Sequence, residues 1–152
     1  MQTVTLDTDL DADADAVWAA MLLPSTFEHV CRGLFSVPAM GSRTESMQEG
    51  DSGTGWLFAF HVIPAYRHSI EVVEVDPQSR TIRTHEHGGV LRVWNHTLQV
   101  EPLSDVRSRY RDTIEIDAGR LTRIVCVVAT GIFRYRQRRW RGFARTLPLR
   151  GD

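Results

Sequence analysis

The stretch WNHTLQVEPLSDVRSRYRDTIEID (94–117) alternates apolar and polar residues on both sides of a PLSD turn, which predicts two antiparallel strands with one dry and one wet face. Trp94, Leu98 and Val100 share a face on the first strand, and Tyr110, Ile114 and Ile116 on the second. The same parity carries His96 and Asp112 inward. Across a tight hairpin, residues of constant index sum oppose one another. A sum near 208 sets His96 opposite Asp112, while a slip of two residues sets His96 opposite Ile114 and leaves Asp112 on the diagonal. Either register makes the two side chains neighbours. Burying a lone carboxylate is expensive, so an inward Asp112 needs a partner or a wet cavity, and His96 is the nearest candidate.

The period-two pattern extends back to about Thr44 through turns at GDSG (50–53), IPAY (63–66), DPQSR (76–80) and HGG (87–89), which predicts a six-stranded meander. Its even positions, among them Trp56, Phe58, Phe60, His68, Ile70, Val72, Ile82 and Glu86, are expected to face inward with the histidine and aspartate. Odd positions, rich in Arg, Glu and Thr, belong to water. Upstream, residues 3–10 alternate as a strand, and Asp11 to Asp15 offer caps for a helix through Val17, Trp18 and Met21. Pro24 ends that helix, Ser25 is placed to cap a second short one, and SVPAMGSR (36–43) reads as loop. Downstream, a helix from about Leu121 to Leu147 carries Leu121, Val125, Val128, Ile132, Tyr135, Arg139 and Phe143 as an apolar stripe aimed at the sheet.

This order of elements resembles the helix-grip fold of the SRPBCC superfamily, which includes START lipid-transfer domains, birch-pollen-allergen-like proteins and polyketide cyclases. The resemblance covers nearly the whole chain. It is carried by the opening strand leading into ADAVWAAM (14–21), by GTGWLFAF (53–60), by the pair WNHTLQVEPL and RYRDTIEID, and by the helix from LTRIVCVV (121–128) to RRWRGFA (138–144). It implies an α+β fold in which a curved antiparallel sheet wraps a long C-terminal helix, all within a single domain spanning residues 1–152. It also implies a cavity between sheet and helix, entered beside the IPAY and HGG turns, and hence the binding of a small, largely hydrophobic molecule. No particular reaction comes with the fold.

Within that hollow, Phe58, Phe60, Trp94 and Tyr110 are the expected walls, with His68, Glu86, His96 and Asp112 converging as polar groups. His96 and Asp112 suit three roles: a structural tie between strands, a ligand-orienting pair, or an acid–base dyad assisted by Glu86 or Tyr110. The last would make the protein an enzyme of the polyketide cyclase, aromatase or dehydratase type. Gly131, in mid-helix, either packs closely against the sheet or leaves volume for a ligand. Arg139, with Arg136, could meet a ligand carboxylate.

With 152 residues, the chain fits one domain. Its 18 basic residues are all arginine, which excludes Schiff-base chemistry through a lysine and the lysine of a phosphate-binding loop. GDSGTG (50–55) is accordingly a turn. Cys31 and Cys126 are too few for a disulfide framework, and HEH (85–87) cannot hold one metal on a regular strand because its histidines point away from Glu86. No metal or cofactor is expected. The six arginines of RYRQRRWRGFAR (134–145) read chiefly as a solvated face; they also leave open an interaction protein or a homodimer that uses this helix. The near-neutral charge argues against nucleic acid, and the apolar runs are too short for stable membrane insertion. A cytoplasmic location is expected.

Overall fold

A computed structural model describes residues 1–38 and 44–148. The elements are β1 (Gln2–Leu10), α1 (Ala14–Met21), α2 (Pro24–Cys31), β2 (Phe35–Ser36), β3 (Ser52–Ala59), β4 (Ile63–Asp76), β5 (Thr81–Gly88), β6 (Leu91–Ser104), β7 (Arg107–Asp117) and α3 (Thr122–Ala144). The strands form one antiparallel sheet in the order β1-β7-β6-β5-β4-β3-β2. The sheet curls around α3, which lies across β1 and β7 and reaches α2. That position covers one half of the sheet. The other half, β3 to β6, faces a space that the helix does not fill.

Local chemistry explains most boundaries. Asp13 caps α1, its Oδ1 accepting from the Asp15 and Ala16 backbone N–H groups at 3.0 Å each. α2 starts differently from the expectation, because Pro24 itself occupies the first turn and Ser25 does not cap it. Proline suits that position, where the missing N–H would have had no helical partner. The expected strand at 44–49 is absent; the meander instead begins with β2, which pairs Phe35 with Ala59 and Ser36 with Phe58. The loop expected over 36–43 thus opens on a strand residue, and its residues 39–43 lie outside the described residues.

One parity does not face inward throughout. The β3–β4 turn lies at Phe60–Val62, ahead of the expected IPAY, and Pro64 supplies no N–H to the ladder. A bulge follows: Phe58 pairs with Pro64 but Leu57 with Tyr66, so Ala65 is an extra residue. Odd positions of β3 therefore share a face with even positions of β4. Trp56 consequently points outward and is 51% exposed, while Leu57 and Ala59 turn inward. A second bulge at Val73 brings Val75 opposite the buried Ile82 and sends Glu74 out to pair with Arg83 at 3.0 Å. Such bulges add bend and twist, which a sheet wrapping a helix requires. Between β5 and β6, Gly88 has φ +153°, and a Cβ there would collide with the Arg67 carbonyl and the Tyr66 ring.

The helix stripe is also rotated from the expected one. Thr122, Ala129, Phe133, Arg136, Gln137, Trp140 and Ala144 are buried, whereas Leu121 and Val128 are exposed. Two inner faces explain the shift. One, with Ala129, Phe133 and Trp140, packs on the sheet; the other, with Val125, Val128 and Ile132, borders the open space. The flank beyond them ties α3 to α2: Tyr135 Oη donates to the Arg32 carbonyl at 2.8 Å, and Arg139 to the His29 carbonyl at 3.0 Å.

Gly131 lies on the exposed side, and a Cβ there would meet nothing within 4 Å. It neither packs against the sheet nor makes room for a ligand. Gly131→Ala should therefore stabilise the protein by about 0.5–1 kcal/mol through helix propensity alone. A thermal melt would show this as a rise of a few degrees, with no change in ligand affinity.

Candidate functional site

The uncovered half of the sheet encloses a hollow of about 490 Å³. Its walls come from β3 (Leu57, Ala59), β4 (Tyr66, Ile70), β6 (Leu91, Trp94), α2 (Phe27) and α3 (Val125, Ile132, Phe133). At its mouth stand Phe60, 64% exposed on the β3–β4 turn, with Val90, Ile124 and Val128. Hydrogen bonds hold this hairpin in place: Phe60 N–H donates to the Leu34 carbonyl at 2.7 Å, and Gly33 N–H to His61 Nε2 at 2.8 Å. The polar side chains in the lining are His68, Glu86, His96 and Arg136.

The β6–β7 register has index sum 210, because the turn is Asp105–Val106 and Leu103 is bulged. His96 stands opposite Ile114, and Asp112 opposite Leu98. The diagonal still lets His96 Nε2 reach Asp112 Oδ1 at 2.9 Å. Asp112 is completely buried and does not border the hollow; it lies behind His96. It also accepts from Tyr110 Oη at 2.9 Å and, through Oδ2, from Gln137 Nε2 at 3.0 Å. Nearer the mouth, Glu86 accepts from His68 Nε2 and from Thr84 Oγ1, both at 2.7 Å.

Burial pushes both carboxyls up, but their partners outweigh it. Glu86 is held below its ordinary value by the hydrogen bond and charge of His68, then by His96 and Thr84. Asp112 is held down by the His96 hydrogen bond, the Arg136 charge and Gln137. An ionised carboxylate only accepts, so the facing nitrogen, Nε2 in each imidazole, carries a proton. In the neutral ring the lone pair is then on Nδ1. His68 Nδ1 is buried and has no partner among the described residues. Burial, followed by the charge of Glu86, pushes the Tyr66 hydroxyl up to about 12, which keeps it protonated at neutral pH.

An acid dependence follows. Both carboxyls lie lower in the fold than their ordinary 3.8 (Asp112) and 4.5 (Glu86), so their stabilising contribution is complete above the higher value and is lost as pH falls through the folded values. The urea midpoint should drop as pH is lowered from about 5 to about 3. The double variant Glu86→Gln/Asp112→Asn should show a flatter dependence. An unchanged slope would mean that other carboxylates set it.

The expected residues do not all meet. His68, Glu86, His96, Trp94 and Phe60 border the hollow. Phe58 does not, because the Ala65 bulge puts Leu57 and Ala59 there instead. Tyr110 is fully buried behind the wall, its ring tilted against Trp140 with centroids 5.1 Å apart, and cannot touch a ligand. Gly131 is on the outer side of α3, and Arg139 is spent on the His29 carbonyl. Arg136, one turn earlier, is the arginine in the wall. His85 and His87 are exposed on the outer face of β5, and no cluster suited to a metal ion occurs among the described residues. Sequence reasoning placed Ile70 inward but missed Leu57, whose inward parity depends on a bulge, Tyr66, which it left in a turn, and Gln137, which hydrophobicity does not flag.

The model of the family described as a domain of unknown function (DUF8410) matches residues 8–143. No curated protein matches the chain. Among solved structures, the Zhui aromatase/cyclase of a Streptomyces species superposes with a TM-score of 0.66 at 14% identity, covering 95% of this chain and 93% of that one. Norcoclaurine synthase of Thalictrum flavum, in complex with dopamine and hydroxybenzaldehyde, gives 0.67 at 14% identity over 93% of this chain and 85% of the other. A protein of Chromobacterium violaceum gives 0.71 at 15% identity over 95% and 98%. These likenesses establish the helix-grip, SRPBCC-like fold. No helix among the described residues is long and apolar enough to cross a membrane.

Proposed function

We propose that this chain, a member of the family described as a domain of unknown function (DUF8410), binds a small, largely hydrophobic molecule in the hollow between its sheet and α3. The observation that carries the reading is the hollow itself. It has about 490 Å³ of space, walls that are mostly aliphatic and aromatic, and a few polar groups on one side, the usual make-up of a small-molecule site. The structural neighbours suit it as well, since one is named an aromatase/cyclase and another holds dopamine and hydroxybenzaldehyde. The test is to fill the space. Leu57→Trp and Val128→Trp should each weaken binding of the neutral dye N-phenyl-1-naphthylamine by about tenfold or more, roughly 1.4 kcal/mol. Dye affinity that ignores both substitutions would place binding elsewhere.

A second reading is favoured by the placement of His96 in the wall with Asp112 behind it, the arrangement that holds an imidazole in one tautomer as a general base. In that reading the protein is a cyclase, aromatase or dehydratase, and Glu86 assists from the same wall. Tyr110 has no part, being out of reach of the hollow. His96→Gln should then abolish turnover of a candidate polyketide-like substrate while leaving dye affinity nearly unchanged. Substrate turnover that persists in this variant would reject the catalytic role.

A further inference from the structure

We propose that Arg136 anchors the anionic head of a carboxylate-bearing apolar ligand, a reading that rests on the hollow being a ligand site. Arg136 is only 4% exposed, yet it forms part of the cavity wall. Its guanidinium lies over the Phe133 ring at 4.7 Å and the Phe27 ring at 5.7 Å. Among the described residues no oxygen accepts a hydrogen bond from it, and its Nε is buried without a partner. A guanidinium has five N–H donors, and burying them unpaired is costly. Arg139, on the same helix, also leaves its Nε without a partner, but it donates through Nη2 to a backbone carbonyl, whereas Arg136 donates to none among the described residues.

The nearby carboxylates do not meet this need. Glu86 is taken by His68 and Thr84, and Asp112 by His96, Tyr110 and Gln137. They act on Arg136 only through their field, which keeps it charged although burial opposes the charge. Arg136 is the charged donor in the wall that no oxygen among the described residues accepts from, and a single anionic group matches it. A planar fork of donors fits a carboxylate through two parallel hydrogen bonds. Leu57, Ile70, Trp94, Val125 and Ile132 are left to cover an apolar body.

Two dyes with one skeleton test this. 1-Anilinonaphthalene-8-sulfonate carries a single negative charge, while N-phenyl-1-naphthylamine lacks the sulfonate. Both should bind the wild-type protein, the anion about tenfold more tightly. Arg136→Gln should erase that advantage and leave the neutral dye within about threefold of wild type. Arg138→Gln, which removes an exposed arginine from the same helix, should leave the preference intact. On the wild-type protein alone, 2-naphthoate should displace the anionic dye where 2-naphthamide does not, so the question is decided even should Arg136→Gln fail to fold. Equal affinity for the two dyes, equal displacement by acid and amide, or a preference that survives Arg136→Gln would overturn the anchor. A wild-type protein that binds neither dye would instead remove the ligand site itself.

Discussion

Asp112→Ala is expected to cost about 3–5 kcal/mol of stability, the size seen when one member of a buried, hydrogen-bonded charge pair is removed. No solvent reaches the carboxylate, and it serves three donors from three elements: His96 on β6, Tyr110 on β7 and Gln137 on α3. Alanine leaves His96 and Tyr110 without this acceptor, reduces Gln137 Nε2 to its bond with the Leu6 carbonyl at 2.7 Å, and strips Arg136 of a compensating field. Asp112→Asn should cost less, about 1–3 kcal/mol, because Oδ1 can still accept while the amide confronts the donor of Gln137. Urea unfolding followed by circular dichroism at neutral pH would rank the two. An alanine variant within about 1 kcal/mol of wild type would show that the histidine, not the aspartate, organises this network.

Why the sequence disclosed this pair but not the whole pocket is a matter of bulges. The β6–β7 hairpin keeps its parity from Trp94 to Ile116, so the inward placement of His96 and Asp112 was legible from alternation, and the choice between the two registers, of which the slipped one is observed, moved neither side chain across the sheet. On β3 an error of one residue was decisive. Ala65 inserts itself beside Pro64, and every side chain on β3 from Ser52 to Leu57 changes face relative to a simple count from β4. Alternation within GTGWLFAF is weak, since Leu57 and Ala59 are apolar as well as Phe58 and Phe60, so nothing local revealed the swap. The helix misled for another reason. Val125, Val128 and Ile132 are as hydrophobic as a core stripe, but they face a space, and hydrophobicity does not distinguish a wall from a packed contact. Arg136 was legible beside Arg139 as a candidate for a ligand carboxylate, but which of the two enters the wall depends on Phe27 and Phe133, brought together by the fold.

The other large effect is expected at the closed end of the molecule. Trp140→Ala should destabilise the protein by about 3–5 kcal/mol, the transfer and cavity terms for losing a large aromatic side chain from a packed interior. Trp140 is buried, lies against Tyr110 and meets Phe143 edge-on at 5.7 Å. With Leu10, Val17, Val30, Val100 and Ile82 it fills the end of the grip that the hollow does not reach. This filled end is what allows the other to stay open, because the cost of an unpacked cavity near the mouth must be met by close packing elsewhere. The loss should therefore appear as a lower urea midpoint with an unchanged slope, reporting the same cooperative unit. Trp140→Phe, which keeps the contact with Tyr110, should lose roughly half as much. Dye binding in the folded Trp140→Phe variant should match wild type, since Trp140 does not border the hollow. A large change in dye affinity would mean that the two halves of the core are coupled, and that the pocket is shaped from the closed end as well as from its own walls.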